Sequence, residues 1–210
     1  MTRAQFIEQL MRQIYGGQPS DDANITDNLI NQWINQAIGI AAKKNYTDSI
    51  QLDGVAYVNN SFYCTFKGIA ITASTIDNNV WQFTLPHVPV GIGRNEGISS
   101  LQFKDSTNNT SYPAIPLSVN EQGIRKGLRT MPNKIWYWYE GNIGYCETPF
   151  PLYTCTATVQ MISGGDSTDL TSVFRIPDDY IPLITDYVTK QLSLQRAQPQ
   201  DAANDGTDKP

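Results

Sequence analysis

Residues 176–194 read Ile176-Pro177-Asp178-Asp179-Tyr180-Ile181-Pro182-Leu183-Ile184-Thr185-Asp186-Tyr187-Val188-Thr189-Lys190-Gln191-Leu192-Ser193-Leu194, and the reading of this stretch decides the expected fold. Pro177 suits a first helical position, and Asp178-Asp179 suit the positive start of a helix. Tyr180, Leu183, Ile184, Tyr187, Val188 and Leu192 then recur at three- and four-residue spacing, which predicts one apolar helical face. Pro182 falls near the first turn, where it costs less than in mid-helix. Such a face needs other helices to cover it.

Two upstream segments offer that cover. Residues 2–15 predict a helix capped by Thr2, with Gln5 reaching back in a capping box, and with Phe6, Leu10, Met11 and Ile14 on one face. Gly16-Gly17 ends it. Residues 26–44 are the most periodic segment, with Leu29, Ile30, Trp33, Ile34, Ala37, Ile38 and Ala41 in one broad stripe. Thr26 or Asp27 caps the start, and Lys43-Lys44 sit where the helix dipole favours cations. Trp33 reads as core.

Between these helices the period changes to two. Strands are expected at residues 51–58, 61–67, 69–74, 80–85, 98–104, 134–139, 143–146 and 154–162, with Asp53-Gly54 and Asn59-Asn60 as turns. Pro113 and Pro116 are expected to break the piece that holds them. Glu140-Gly141-Asn142 marks a hairpin, and its first strand, Trp136-Tyr137-Trp138-Tyr139, carries aromatics on both faces. One face is expected to pack inside and the other to meet a neighbouring subunit.

The expected fold class is therefore α+β: a helical bundle from the N- and C-terminal helices, a central antiparallel β-rich insertion, and an extended C-terminal tail. It divides as 1–48 (N-terminal helices), 49–165 (β-rich insertion), 166–196 (C-terminal helix completing the bundle) and 197–210 (C-terminal arm). The arm has a composition that cannot build a core and is expected to order only on a partner.

Composition narrows the function classes. Charged residues are only 17% of the chain while Asn, Gln, Ser and Thr abound, so the surface suits protein neighbours. The net charge of -5 argues against tight nucleic-acid binding, which needs a clustered basic face. The densest basic run, Arg125-Lys126-Gly127-Leu128-Arg129, reads as a solvated loop. Like charge instead lets DNA slide past without sticking. The three cysteines, Cys64, Cys146 and Cys155, are odd in number and lack C-x-x-C spacing, so they read as buried free thiols. No apolar run reaches membrane-spanning length, and no secretory h-region opens the chain.

No motif carries chemistry. His87, the only histidine, lies between prolines in Leu85-Pro86-His87-Val88-Pro89 and reads as structural. Gly91-Ile92-Gly93-Arg94-Asn95-Glu96-Gly97 has its final glycine misplaced for a dinucleotide loop, and strand rather than helix follows it. Asp166, Asp169, Asp178 and Asp179 suit a turn and a helix start better than a calcium site. We expect no enzyme, no cofactor and no metal.

Several pieces resemble one family in order and spacing: the helix pair 2–15 and 26–44; Trp81-Gln82-Phe83-Thr84-Leu85-Pro86 followed by a loop and a second strand; the Trp/Tyr strand running from Trp136 to Asn142; a following Pro149 or Pro151; and Ile176-Pro177-Asp178-Asp179-Tyr180 leading into a helix. This pattern resembles the bacteriophage head–tail connector (adaptor) proteins of the tail tubular protein A and head-completion class. The Asn/Thr/Tyr-rich, Lys-poor style also resembles ring proteins of crAss-like phages. The resemblance implies a virion protein made in the host cytoplasm. It would form a dodecameric ring in the neck, beneath the portal protein and beside other neck and tail rings, with double-stranded DNA passing through unread. It implies no membrane partner. The residues then expected at interfaces are Trp136, Tyr137, Trp138 and Tyr139 on the hairpin, and Gln198, Pro199, Gln200, Asp201, Asn204, Asp205, Lys209 and Pro210 on the arm. The alternative expectation is a carbohydrate-binding or adhesin-type β module of a tail or fibre protein, its exposed rings stacking on sugars.

Overall fold

The computed structural model describes residues 1–15, 26–74, 79–93, 97–117, 134–148, 150–163 and 170–197. Helix α1 spans Arg3–Tyr15 and α2 spans Asp27–Asp53. Seven strands follow: β1 Tyr63–Ala73, β2 Val80–Thr84, β3 Ile98–Asp105, β4 Ser111–Pro116, β5 Ile135–Glu140, β6 Ile143–Glu147 and β7 Cys155–Ile162. A 3-10 turn, Asp178–Tyr180, leads into α3, Ile181–Ala197.

The strands close into a barrel in the order β1-β2-β6-β5-β4-β3-β7, with β7 returning to β1. This overturns the expected helical bundle carrying an antiparallel insertion. The body of the molecule is the barrel, and the strands are not all antiparallel, because β4 and β5 run parallel. Closure rests on β1. Its first part pairs with β7 from Tyr63 to Ala70, and its last three residues pair with β2. The strand turns the corner at a register shift between Phe66 and Ile69, where Gly68 takes φ 73°. That left-handed conformation is open to glycine at little cost. One long bent strand thus serves both halves and closes the strand order into a ring.

Two further expectations fail for local reasons. Residues 51–58 are not a strand: α2 continues to Asp53, and Gly54 caps it at φ 68° with its N–H donating to the Ile50 carbonyl at 3.0 Å. Asp53-Gly54 is a helix stop rather than a hairpin turn. Pro113 and Pro116 do not break β4. Residues 111–113 pair only with β3 and residues 114–116 only with β5, so each proline sits in a stretch paired on one side, where a missing N–H is tolerated.

Two apolar cores result. One fills the barrel, with Trp81, Phe83, Leu101, Phe103, Ile135 and Met161 among its members. The other lies between the barrel wall and the helices. It holds Phe6 and Leu10 of α1, Ile30, Trp33 and Ile34 of α2, and Ile184, Val188 and Leu192 of α3. Strand β7 is the wall between them: Val159 and Met161 belong to the barrel core, while Ile162 belongs to the helical one.

The N-terminal caps of α1 and α2 behave as the sequence indicates, whereas Lys43-Lys44 fall inside α2 and Pro177 precedes the 3-10 turn instead of opening the α-helix. The Gln5 N–H donates to Thr2 Oγ1 at 3.2 Å and the Thr2 N–H donates to Gln5 Oε1 at 2.9 Å. Thr26 Oγ1 accepts from the Leu29 N–H at 3.3 Å. Tyr180 joins α3 to α2, since its hydroxyl accepts from Asn45 Nδ2 at 3.1 Å and donates to Asp48 Oδ2 at 3.4 Å, and its ring meets Phe62 edge-on. Arg3 gives no sequence signal yet is fully buried. Its guanidinium donates to Asn31 Oδ1 and stands 5.8 Å from the Phe174 ring centroid.

Candidate interaction surface

The β5–β6 hairpin decides what the aromatic segment does. Side chains alternate across a strand, so Ile135, Tyr137 and Tyr139 share the inner face while Trp136 and Trp138 share the outer one. Ile135 and Tyr137 are buried in the barrel core, and Tyr139 packs against it half-buried. Burial pushes the Tyr137 phenol up to about 12, and the neighbouring Tyr139 adds to the shift, so this hydroxyl stays neutral. Tyr137 is a core residue and is withdrawn from any contact surface.

Trp136 and Trp138 are half-buried on the exterior. The ladder sets Trp138 opposite Tyr145, and their rings stack at 5.6 Å with 19° between planes. Trp136 lies opposite Glu147 on one side and Ile115 on the other. Three strands thus present an apolar, aromatic strip flanked by the carboxylates of Glu147 and, at the end of β5, Glu140. Gly144 makes the hairpin fit, because a Cβ there would stand 2.3 Å from Phe83 Cζ. The expected arm contacts Gln198, Pro199, Gln200, Asp201, Asn204, Asp205, Lys209 and Pro210 lie outside the described residues.

His87 lines a cavity of about 570 Å3 between α2 and the segment after β2, together with Gln32, Asn35, Gln36, Val88 and Val90. Its Nε2 lies 2.9 Å from the Ile162 carbonyl oxygen, and its ring meets Phe66 edge-on. A carbonyl only accepts, so Nε2 carries the proton in the neutral ring. Burial lowers the His87 pKa; the carbonyl contact opposes this, and the Arg3 charge lowers it further. The folded state therefore disfavours imidazolium. The stability that neutral His87 permits is complete above the unfolded value near 6.5, and is lost as pH falls toward the depressed folded value. Urea midpoints should decline with acidification from about that pH, and a His87→Gln variant should show a flatter decline over the same interval. An unchanged slope would show that the ring is not held neutral by the fold.

Other polar groups serve the scaffold. Asp105 accepts from the Thr107 N–H at 2.8 Å, Thr154 Oγ1 at 2.9 Å and Asn108 Nδ2 at 3.1 Å. These bonds, the Thr107 N–H first, hold its carboxyl below the usual value and pin the β3–β4 turn, where Asn109 takes φ 51°. Cys64, Cys146 and Cys155 are all buried. Burial pushes the Cys146 thiol up to about 12 and raises that of Cys155. Cys64 Sγ donates to the Ser163 carbonyl at 3.0 Å. Among the described residues no group of three His, Cys, Asp or Glu side chains is placed to hold a metal. Asp178 and Asp179 sit in the 3-10 turn that opens α3, while Asp166 and Asp169 lie outside the described residues. No helix among the described residues is long and apolar enough to cross a membrane.

No protein-family model matches the chain, and no curated protein matches it.

Proposed function

We propose that this chain is a structural ring protein of a phage portal and neck, joining the portal to the tail and lining the DNA conduit. The observation that carries the reading is the outer face of the β5–β6 hairpin. Within the segment that resembles the connector family, Trp136 and Trp138 turn away from a barrel already filled by Ile135 and Tyr137. A large aromatic that the core does not use suits a protein contact. The net charge of -5 also suits a channel past which DNA moves without being held. In this reading the chain assembles with itself as a ring, docks to the portal protein through residues 198–210, and resides in the virion at the head–tail junction.

The test compares the full chain with a chain ending at residue 197, each mixed with the portal protein and imaged by electron microscopy. The full chain should form rings on the portal. The shortened chain should keep its melting temperature and lose docking. A full chain that stays monomeric beside its portal, with no ring of this mass in particles, would sink the proposal.

The stacked Trp138–Tyr145 pair also favours a second reading, a carbohydrate-binding or adhesin-type β module, because it offers a flat apolar platform to a sugar ring. Glycan-array hits that vanish in Trp138→Ala would support it over the first.

A further inference from the structure

The end of α2 and one cleft beside β1 are complementary, and among the described residues neither has an ion-pair partner. At the helix end Ile50, Leu52, Val55 and Tyr57 are all exposed, Leu52 at 84%. They flank the Gly54 cap, and beyond it the Asn59 N–H donates to Asn45 Oδ1 at 2.8 Å, so the chain returns along α2. Tyr57 donates from its hydroxyl to Asp53 Oδ2 at 3.1 Å, which ties the segment beyond the cap to the last turn of the helix. The tip is therefore an apolar projection with a carboxylate at its centre, and Asp53 makes no ion pair among the described residues.

The cleft has a volume of about 470 Å3 and lies between β1 and the segment before the 3-10 turn. Phe66, Ile69, Pro86 and Val173 give it apolar walls, and Lys67 and Arg175 are its charged residues. Among the described residues no carboxylate lines it, and neither cation is in an ion pair. In a chain whose net charge is -5, such a cleft is set apart in sign from the whole. Two cations over an apolar floor are too few for tight duplex binding, which scales with the number of phosphates neutralised. They suit a carboxylate on an apolar peptide segment.

We propose that the Leu52–Asp53 tip of one copy seats in the Lys67–Arg175 cleft of the next copy. The tip supplies aliphatic side chains to the walls and Asp53 to the two cations. Because the two surfaces are different, a pair joined by one contact still presents an open cleft on one copy and an open tip on the other. The association is head-to-tail and closes as a ring when the rotation permits. This deepens the ring reading and rests on it for self-association, but the contact can fail while the ring survives.

All four residues to be changed, Leu52, Asp53, Lys67 and Arg175, are exposed, so the substitutions leave the fold alone. Sedimentation velocity of the full chain over a concentration series reads the assembly. Asp53→Lys should weaken self-association by about tenfold or more, and the Lys67→Asp/Arg175→Asp double variant should do the same. Mixing the two variants should restore assembly, since opposite charges meet at every contact of an alternating array. A photo-crosslinking residue at position 52 should join isotopically distinct copies at residues 64–69 or 172–175. Assembly that survives both reversals, or crosslinks from 52 to another surface, overturns the contact and leaves the ring reading standing. A restored product that stops at the dimer keeps the contact and overturns the ring. A wild-type chain that remains monomeric at every concentration overturns both. If the cleft double variant instead loses retention on DNA while self-association is unchanged, the cleft is a phosphate site and the proposal falls.

Discussion

Replacing Trp33 by alanine should lower the unfolding free energy of this chain by about 3–5 kcal/mol. Trp33 is 9% exposed and belongs to the core shared by α1, α2, α3 and the outer side of β7. Removing the indole deletes its transfer free energy and leaves a cavity among Ile30, Ile34 and their partners from the other helices. These are held to separate elements, so the gap closes only in part. Urea denaturation followed by circular dichroism measures the loss. Leu52→Ala is the control: at 84% exposure it should change stability by no more than about 0.5 kcal/mol. A Trp33→Ala loss under about 1 kcal/mol would mean the helices do not share one core across this ring.

Gly144→Ala should destabilise the barrel by about 1–3 kcal/mol, although it adds a single methyl. Gly144 pairs with Phe83 on β2 and Tyr139 on β5, and a Cβ would stand 2.3 Å from Phe83 Cζ and 2.4 Å from Cε2. Phe83 cannot simply retreat, because its ring packs edge-on against Phe103 at 5.8 Å. A small barrel filled by large rings needs a small residue between them. The steric cause is separable from glycine's backbone freedom, since Gly144 is not among the positive-φ glycines. In a double-mutant cycle, Phe83→Leu should therefore recover part of the loss caused by Gly144→Ala, with a favourable coupling. Equal losses with and without Phe83→Leu would place the cause elsewhere.

The legible parts of the chain were those governed by neighbours in sequence. The Thr2/Gln5 capping box, the Thr26 cap, the buried stripe from Ile30 to Ala41 and the alternation in residues 135–139 all depend on spacings of two to four residues. Trp136 and Trp138 were correctly separable from Tyr137 in principle, because period two sends them to opposite faces. Which face was inside was not decidable from the hairpin alone, since aromatics occupy both. The end of α2 is not legible locally, because Asp53-Gly54 signals a hairpin turn and a helix C-cap equally well. The Gly54 N–H bond to the Ile50 carbonyl shows which one applies.

The barrel itself was beyond reach for a different reason. Closure depends on β1 meeting β7 and on β4 lying parallel to β5. The first joins residues as far apart as Tyr63 and Ile162, the second joins Ala114 to Ile135 across an intervening segment, and no local spacing encodes either. Buried Arg3 has the same origin: its place is created when Asn31 and Phe174 come together from distant segments. The tip at Leu52 and the Lys67–Arg175 cleft are likewise unremarkable as sequence and become a complementary pair only when exposure and shape are known. The sequence by itself determined where helices and most strands form, how α1 and α2 are capped at their N-termini, and that the surface is polar and weakly charged, because those follow from local backbone preference and composition. The tertiary structure alone decided which strand edges meet and which aromatics remain outside, because burial is a property of the closed chain and not of any segment of it.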